Sequence, residues 1–380
     1  MSEFPLADVP ALVLGAGFGT RLRPLTEHVP KPVVPLLGRP LIGHALIHLY
    51  AAGCQTVHVN AFHQSSKMQA VLDTWVQRRL LRLTLRWSVE APHILGTGGA
   101  LRRLEDRLCT RSFLLLNGDA ILGMDLPALW AAHQRNRAEG AEATLLCRPR
   151  PPGSDLRRVL VDAEGRILEM TGLGQRAGVT DADLAAAREV VFCGVHAIEP
   201  SVVGYLPPDG VESCIVRQGY IPRLAAGADL RAHVADEDLV FHDVGTAGRY
   251  LDAQAGLFEA GERRVLAVAP EVDPKEALYQ EASYAADASG REYGNPDSVE
   301  GLAGATLEAP FFFGPRNRLE PGAIVGPHAS LGAFNVVGSG GVVRDAALWS
   351  GVEVAPTERL EGVVAAKLGG ERLWVAGREN

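Results

Sequence analysis

The chain has 380 residues, 47% of them hydrophobic and 22% charged, a balance that is ordinary for a soluble globular protein. This length allows two or three domains and at least one sizeable core. The formal net charge of −8 argues against a general nucleic-acid-binding protein, which would usually carry a basic face. The sequence has no run of about 18 apolar residues and no charged and apolar leader, so we expect neither a membrane span nor secretion.

The cysteines are odd in number, scattered along the chain and without C-x-x-C spacing. They are Cys54, Cys109, Cys147, Cys193 and Cys214. Such a pattern does not predict a zinc site or a disulfide framework. It favours reduced core residues in a cytoplasmic protein.

The first predicted element is a short buried strand, Ala11–Leu14, that ends in a glycine-rich turn. The alternating glycines allow backbone conformations that other residues avoid, so main-chain N–H groups can approach a ligand closely. They are Gly15, Gly17 and Gly19. Arg21 follows at once, and Lys31 lies between two prolines. Close backbone donors with two fixed cations predict a site for the polyphosphate of a nucleoside triphosphate.

Two common phosphate-binding motifs do not fit this turn. The dinucleotide motif G-x-G-x-x-G requires glycine where this chain has Thr20, and the G-x-x-x-x-G-K-[ST] loop requires a lysine directly after a glycine. A tight turn without a ligand explains the glycines alone about as well. The added Arg21 and Lys31 favour phosphate binding.

Strand-like and helix-like segments then alternate as far as about residue 260, which predicts a mostly parallel, Rossmann-like α/β sheet with helices on both faces. The predicted helices are Leu41–Ala52, Ser66–Leu80 and Leu126–Glu139; the predicted strands are Thr56–Val59, Leu83–Val89 and Ser112–Leu116. Ligands of such sheets lie at the carboxyl ends of the strands. The glycine turn and the turn Asn117-Gly118-Asp119 both fall there.

The stretch Gly17–Thr26 followed by Pro30–Pro32 resembles, nearly letter for letter, the motif G-x-G-T-R-L-x-P-L-T and P-K-P of the sugar-1-phosphate nucleotidyltransferases, also called nucleotide-sugar pyrophosphorylases. The resemblance extends more loosely over residues 10 to 260. It implies attack by a sugar-1-phosphate oxygen on the α-phosphorus of a nucleoside triphosphate, with release of pyrophosphate.

The resemblance also implies roles for individual residues. Arg21 would bind the β- and γ-phosphates, and Lys31 the α-phosphate and the sugar phosphate. Asp119, in N-G-D, and Asp243, in D-V-G-T, would hold Mg²⁺, with Asp119 counted among the catalytic residues. The other expected substrate-binding positions are Leu14, Gly15, Ala16, Gly17, Gly19, Thr20, Asn60, Glu90, Gly98, Gly99 and Gly194.

Several alternatives stay open at the level of sequence. The loop L-G-T-G-G-A-L with L-N-G-D and D-V-G-T looks most like mannose-1-phosphate guanylyltransferases, while a uridylyl- or thymidylyltransferase, or a catalytically silent regulatory subunit, remains an alternative. Many family members carry a second lysine in E-K-P. The comparable stretch Gly165–Thr171 has none, so a nearby arginine substitutes or Lys31 acts alone.

The C-terminal part has a six-residue apolar repeat, which is typical of a β-helix with one short strand on each side. The repeated positions are Phe313, Leu319, Val325, Leu331, Val337, Val343 and, after one step of five, Leu348, Val354 and Leu360. This resembles the left-handed β-helix found in many members of the same family. We therefore expect a catalytic domain over 1–255, a connecting helix and linker over 256–300, and a β-helix over 301–380 that supports homo-oligomer formation.

Two histidine observations complete the expectations. His44 and His48 lie four apart on a predicted helix, a spacing that suits a metal, but no third ligand is evident and a surface pair is the better interpretation. His328 is the only histidine of the β-helix, which supports acyl transfer there only weakly.

Overall fold

The computed structural model describes residues 6–78, 81–265, 283–286 and 288–377. The chain forms two compact units, one made of Met1–Gly17 with Ala45–Leu239, and the other of Phe18–His44 with Val240–Asn380. Within the described ranges, no helix is both long enough and apolar enough to cross a membrane. The domain boundaries expected at 255 and 300 remain a prediction.

The first unit is built on one ten-stranded mixed sheet. Its main order is Gly174–Gln175, Ile167–Met170, Arg158–Val161, Arg188–Ile198, Phe113–Asn117, Ala11–Leu14, Thr56–Ala61 and Thr84–Val89; Ala143–Pro149 pairs with Arg188–Ile198 and Leu230–Val234. The last four strands of the main order are parallel, whereas Arg188–Ile198 runs antiparallel to its neighbours in the sheet. The predicted α/β class is confirmed.

Helices connect and cover these strands. They are Gly43–Ala51, Ser65–Arg78, Gly96–Arg103, Glu105–Leu108, Leu126–Ala138, Asp181–Ala186 and Ile221–Ala225, with a 3₁₀ segment at Pro200–Tyr205 and a π-helical segment at Ile215–Tyr220. A short strand, Ala120–Leu122, follows the Asp119 turn. The helix Leu126–Ala138 begins where the Asp125 carboxylate accepts a hydrogen bond from Ala128 N at 2.8 Å, and it ends before Gly140, whose φ is +100°.

The predicted helix Leu41–Ala52 begins two residues later than expected. Leu41 N donates to Val34 O and Ile42 N to Pro32 O, both at 2.9 Å, so these two amides bind the Pro-Lys-Pro segment before the helix starts. The interpretation of His44 and His48 as a surface pair is wrong, because they are only 2% and 4% exposed. Every residue of this helix from Gly43 to Leu49 is buried, so it has no exposed face on which a surface pair could lie.

The second unit contains the predicted β-helix. Its short strands are Val299–Glu300, Thr306–Leu307, Phe311–Phe313, Asn317–Leu319, Ile324–Val325, Ala329–Leu331, Val336–Val337, Val342–Arg344, Ala347–Leu348, Glu353–Val354 and Arg359–Glu361. They stack in three parallel sheets. Phe311 pairs with Ala329, 18 residues on, whereas Ser330 pairs with Ala347, 17 residues on. The shorter turn accounts for the single step of five in the sequence repeat.

The repeat residues form the core of this β-helix, as predicted. From Phe313 to Val354 each is at most 3% exposed, and Leu360 packs against the same cluster at its end. The connecting segment predicted over 256–300 lies partly outside the described residues, since 266–282 and 287 are not described. Around that gap the structure has the helix Ala247–Val265 and the strands Tyr284–Ala286 and Glu292–Gly294.

The rest of the second unit consists of short elements. They are the helical turns Thr20–Leu22, Leu25–His28, Lys31–Val33, Pro296–Ser298 and Leu302–Gly304, the hairpin Pro35–Leu36 with Arg39–Pro40, the strand Phe241–Asp243, and the C-terminal hairpin Val363–Leu368 with Glu371–Ala376. The turns Thr20–Leu22 and Lys31–Val33 carry the predicted phosphate-binding cations.

Candidate functional site

In the first unit, three parallel strands end side by side. Leu14 is in register with Asn60 on one side and with Asn117 on the other. Gly118 N donates to Leu14 O at 3.0 Å, so the turn that carries Asp119 is fixed to the end of the first strand. Asp119 is half-buried. The expected carboxyl edge of the sheet therefore exists, with Leu14, Asn60 and Asp119 on it.

The side chain of Asn60 holds the glycine turn to a second loop. Its Oδ1 accepts hydrogen bonds from Gly15 N at 2.8 Å and Ala16 N at 3.4 Å. Its Nδ2 donates to Glu90 Oε1 at 2.7 Å. The other carboxylate oxygen of Glu90 accepts from Leu95 N at 2.7 Å. Asn60 and Glu90 are each 2% exposed, and their expected part in substrate binding stays a prediction.

The Glu90 carboxyl is protonated more readily in this buried environment than it would be in water. Burial raises the pKa of the Glu90 carboxyl, while the hydrogen bonds from Leu95 and Asn60 act in the opposite direction. A buried carboxylate with few donors is costly. Asn60 therefore fixes the glycine turn through its Oδ1 atom and donates a hydrogen bond to the buried Glu90 carboxylate through its Nδ2 atom.

The glycines of the G-T-G-G segment make room for the segment 211–213. A Cβ on Gly98 would lie 2.7 Å from Ser213 Oγ, and one on Gly99 would lie 2.7 Å from Val211 O. Gly98 N also donates to Ser213 O at 2.8 Å. The glycines predicted that another group comes close to this backbone. In the first unit that group is the segment 211–213, and no motif in the sequence indicated it.

Gly194 adopts a left-handed backbone conformation with φ +76°. A Cβ there would lie 2.6 Å from the Nδ2 atom of Asn117, so only glycine leaves space for this amide. A Cβ added to Gly17 would meet no atom of the described residues within 4 Å, which leaves its main chain open on that side.

In the second unit, the G-T-R-L turn packs against the Pro-Lys-Pro turn. Gly19, with φ +62°, precedes the helical turn Thr20–Leu22 and its carbonyl accepts from Thr26 Oγ1 at 2.7 Å. A Cβ on Gly19 would lie 3.0 Å from Lys31 Cβ. Glycine at this position therefore allows the backbone next to Arg21 to lie directly against Lys31.

The guanidinium group of Arg21 lies against the D-V-G-T loop of the same unit. A Cβ on Gly245 would be 2.8 Å from both terminal nitrogens of Arg21. Gly245 N donates to Asp243 O at 2.9 Å, and the Asp243 carboxylate forms an ion pair with Arg249 at 3.1 Å. Sequence reasoning missed Arg249, although its place six residues after Asp243 at the start of a helix was visible.

The donor chemistry of the two predicted aspartates fits Mg²⁺. Among the residues that the structure describes, no group of three or more His, Cys, Asp or Glu side chains could hold a metal. Mg²⁺ at nucleotide sites takes one or two carboxylates together with phosphate oxygens and water. Asp119 and Asp243 are carboxylates of the kind that could supply these protein ligands. The remaining ligands would come from phosphate and water, so the protein does not have to provide a complete set.

Three arginines in or near the stretch without the second lysine are engaged by carboxylates, and the first, Arg176, pairs with Asp229 at 3.6 Å. Arg166 bonds to Asp162 at 2.6 Å and to Glu164 at 3.0 Å. Arg158 pairs with Glu189 at 3.1 Å and with Glu169 at 3.4 Å. The hydrogen bond with Asp162 raises the pKa of Arg166. These contacts favour the alternative in which Lys31 acts without a second cation from this stretch.

Comparison with known proteins gives a consistent result. A family model described as nucleotidyl transferase matches residues 10–259. A UTP–glucose-1-phosphate uridylyltransferase of Synechocystis is 25% identical over 92% of this chain and 85% of its own length. A mannose-1-phosphate guanylyltransferase of Mycobacterium tuberculosis is 28% identical over 66% of this chain and 65% of its own length.

Two further comparisons cover less of the chain. A mannose-1-phosphate guanyltransferase of Yarrowia lipolytica is 31% identical over 58% of this chain and 56% of its own length. The chain thus spans less than two thirds of the two mannose-specific relatives. The crystal structure of HddC from Yersinia pseudotuberculosis superimposes with a TM-score of 0.50 at 16% identity, covering 64% of this chain and 97% of that one, and so shares the fold.

Proposed function

The chain belongs to the nucleotidyl transferase family, as its N-terminal motif predicted, and on that premise we propose that it transfers a nucleotidyl group from a nucleoside triphosphate to a sugar-1-phosphate. The products would be a nucleotide sugar and pyrophosphate. The relatives that act on sugar-1-phosphates, by their names, support this reaction class.

One observation carries the proposal. In the second unit, Gly19 brings the backbone beside Arg21 against Lys31, and Gly245 leaves space for the Arg21 guanidinium against the D-V-G-T loop. Two turns that are neighbours in sequence therefore lie together, and the distant D-V-G-T loop packs against the Arg21 guanidinium. A tight turn without a ligand would not require glycine at both contacts.

The chemistry needs charge neutralisation more than proton transfer. The attacking oxygen of a sugar-1-phosphate is already an anion, so no general base and no covalent intermediate is required. Arg21 would bind the β- and γ-phosphates and neutralise the leaving pyrophosphate, and Lys31 would orient the α-phosphate and the incoming phosphate. Main-chain N–H groups around Gly17 to Thr20 would add donors to the triphosphate.

Asp119 and Asp243 are the residues that we propose for Mg²⁺, on the basis of their motifs. A bound Mg²⁺ would withdraw charge from the phosphates. The ion pair between Asp243 and Arg249 keeps the Asp243 carboxylate oriented before any ligand arrives.

Guanosine triphosphate with mannose-1-phosphate is the first substrate pair to test. The L-G-T-G-G-A-L loop and the relatives from Mycobacterium tuberculosis and Yarrowia lipolytica favour it. Uridine triphosphate with glucose-1-phosphate is the second candidate, because the uridylyltransferase relative aligns with 92% of this chain, including most of the C-terminal part. The silent-subunit alternative is disfavoured by the presence of Arg21, Lys31, Asp119 and Asp243.

Measuring pyrophosphate release with each common nucleoside triphosphate and a panel of sugar-1-phosphates tests this proposal. We expect release only when Mg²⁺, one triphosphate and one sugar-1-phosphate are all present. Asp119→Ala should abolish turnover without loss of fold, as judged by circular dichroism. Release without any sugar phosphate, or full activity of Asp119→Ala, would contradict the proposed reaction or the metal role respectively.

Two expectations from sequence remain part of the proposal. The β-helix would support a homo-oligomer, which light scattering would detect. A cytoplasmic location agrees with five cysteines that carry no disulfide.

A further inference from the structure

A basic cavity lies in the first unit, away from the carboxyl ends of the strands. Its volume is about 540 Å³, and it is lined by Thr56, His58, Leu85, Arg86, Trp87 and Arg107. The residues from the sheet belong to the amino-terminal half of Thr56–Ala61 and the middle of Thr84–Val89. Within the first unit, the glycine turn and Asp119 follow the carboxyl ends of their strands, so the cavity is a separate place in that unit.

Three basic side chains converge on the cavity. His58 and Arg86 are direct partners on adjacent parallel strands and therefore project from the same face of the sheet. Arg107 reaches the cavity from the helix Glu105–Leu108. Both arginines are exposed, and in the described part of the chain neither forms an ion pair with a carboxylate. Arg86 and Arg107 therefore bring two positive charges to one cavity.

The pKa of His58 is consistent with two arginines near its imidazole ring. Burial, and after it the charges of Arg86 and Arg107, lower the pKa of the His58 imidazole. Both guanidinium groups are therefore close enough to influence the ring.

Additional donors come from the edge of the sheet. Thr84–Val89 is the last strand of the sheet, and Thr84 N and Glu90 N both donate to the neighbouring strand segment at 2.8 Å. Because N–H groups alternate in direction along a strand, those of Leu85 and Trp87 point outward. Thr56 adds a hydroxyl group at the exposed start of its strand.

We propose that this cavity is a second anion site, which binds a small phosphorylated compound through its phosphate group. Paired guanidinium groups with main-chain and hydroxyl donors match the oxygens of a phosphate dianion. The volume lies within the usual range of small-molecule sites, about 300–1,000 Å³, and so accommodates more than inorganic phosphate alone. This inference does not depend on the reaction proposed above.

Isothermal titration calorimetry tests this proposal, because the Trp87 side chain projects from the opposite face of the sheet to Arg86 and donates to Asp73 Oδ1 at 3.2 Å. The full-length protein is titrated with inorganic phosphate and with glycerol phosphate, at constant ionic strength set with potassium chloride. We expect saturable binding of both compounds. Arg86→Gln with Arg107→Gln should weaken binding at least about tenfold, and the two lysine replacements should restore part of it.

The matched control is a double variant that also loses two positive charges, but at arginines outside the cavity. Arg82→Gln with Arg111→Gln removes two exposed arginines that do not line the cavity, and it should leave affinity unchanged. Circular dichroism confirms that each variant is folded. A wild-type protein that shows no saturable binding, or a glutamine double variant at Arg86 and Arg107 that binds as tightly as wild type, would overturn the proposal.

Discussion

Lys31 and Arg21 are the residues on which the proposed chemistry depends most directly. Replacing either with glutamine removes a cation from the phosphates in the transition state, so we expect turnover to fall by about a hundredfold or more. Steady-state pyrophosphate release measures this. Arg23→Gln is the matched control, because Arg23 is exposed and its ion pair with Glu27, at 3.7 Å, is a surface contact. Equal activity of Arg21→Gln and Arg23→Gln would show that Arg21 has no part in catalysis.

Asn60 and Glu90 show what residue-level sequence reasoning could and could not provide. The resemblance marked both as candidates, and the structure places Asn60 against the glycine turn and Glu90 against Asn60. Their mutual hydrogen bond, across thirty residues, depends on the register of two strands and on burial. Neither the strand register nor the burial can be deduced from a local sequence motif. The same holds for the main-chain segment 211–213, which fills the space left by Gly98 and Gly99.

At the scale of elements, the hairpin Pro35–Leu36 with Arg39–Pro40 connects the Lys31 segment to the β-helix. A Cβ on Gly38 would lie 2.8 Å from the ring of the buried Phe312, and Gly38 has a φ of +73°. Tyr250, on the helix after the D-V-G-T loop, donates its hydroxyl hydrogen bond to Pro35 O. The hairpin is therefore fixed on both sides, which makes it a support for Lys31.

Gly38→Ala tests this support. We expect the free energy of unfolding to fall by about 1–3 kcal/mol, because the substitution combines backbone strain with overpacking against Phe312. Gly153→Ala controls for the strain alone, since Gly153 has a φ of +70° and no atom of the described residues lies within 4 Å of the added methyl group. Denaturant unfolding and pyrophosphate release are measured on both. Equal effects of the two substitutions would mean that the Phe312 contact is unimportant.

Most elements were predictable because their signals are local. Short continuous apolar runs located the strands around Leu14 and Leu116, and the six-residue repeat located the β-helix core. Helix starts were less predictable where tertiary hydrogen bonds compete. Leu41 and Ile42 fit a helix by composition, yet their amides bind Val34 and Pro32 instead. The antiparallel direction of Arg188–Ile198 is likewise decided by packing across the whole sheet.

At the scale of the whole molecule, buried histidines make stability depend on pH. Burial lowers the pKa of His196 to about 3, and its ring is hydrogen-bonded to the Tyr220 hydroxyl at 2.8 Å. Burial also lowers the pKa values of His133 and His233. Between about pH 6.5 and the lowered folded value, the unfolded chain binds protons that the folded chain does not, so stability falls as the pH falls.

We therefore expect the free energy of unfolding to decrease from pH 7.5 to pH 5, by up to about 1.4 kcal/mol per pH unit for each such histidine. Urea unfolding at several pH values measures this slope. His196→Gln keeps a hydrogen-bonding group beside Tyr220 but does not titrate, so its slope should be smaller than that of the wild type. An unchanged slope in this variant would exclude His196 as a contributor.

Removal of the β-helix tests how the second unit is built. A β-helix that only supports homo-oligomer formation predicts that truncation near residue 295 changes the oligomeric state more than the chemistry. The second unit, however, contains both the β-helix and Phe18–His44. Gln254, fully buried on the helix after the D-V-G-T loop, donates to His328 O at 2.8 Å and to Ala346 O at 3.1 Å and accepts from Ser330. Truncation would leave this amide and the Gly38 hairpin without their partners.

We accordingly expect the truncated chain to lose turnover and thermal stability together with any assembly. Gln254→Ala in the full-length chain separates these effects, because it breaks the internal hydrogen bonds while the β-helix stays present. It should lower the free energy of unfolding by about 1–3 kcal/mol and reduce turnover, since unsatisfied buried groups are costly. Gln77→Ala, on an exposed helix face, should change neither. If Gln254→Ala lowers only the oligomeric state seen by light scattering, the β-helix serves assembly and does not position Arg21 and Lys31.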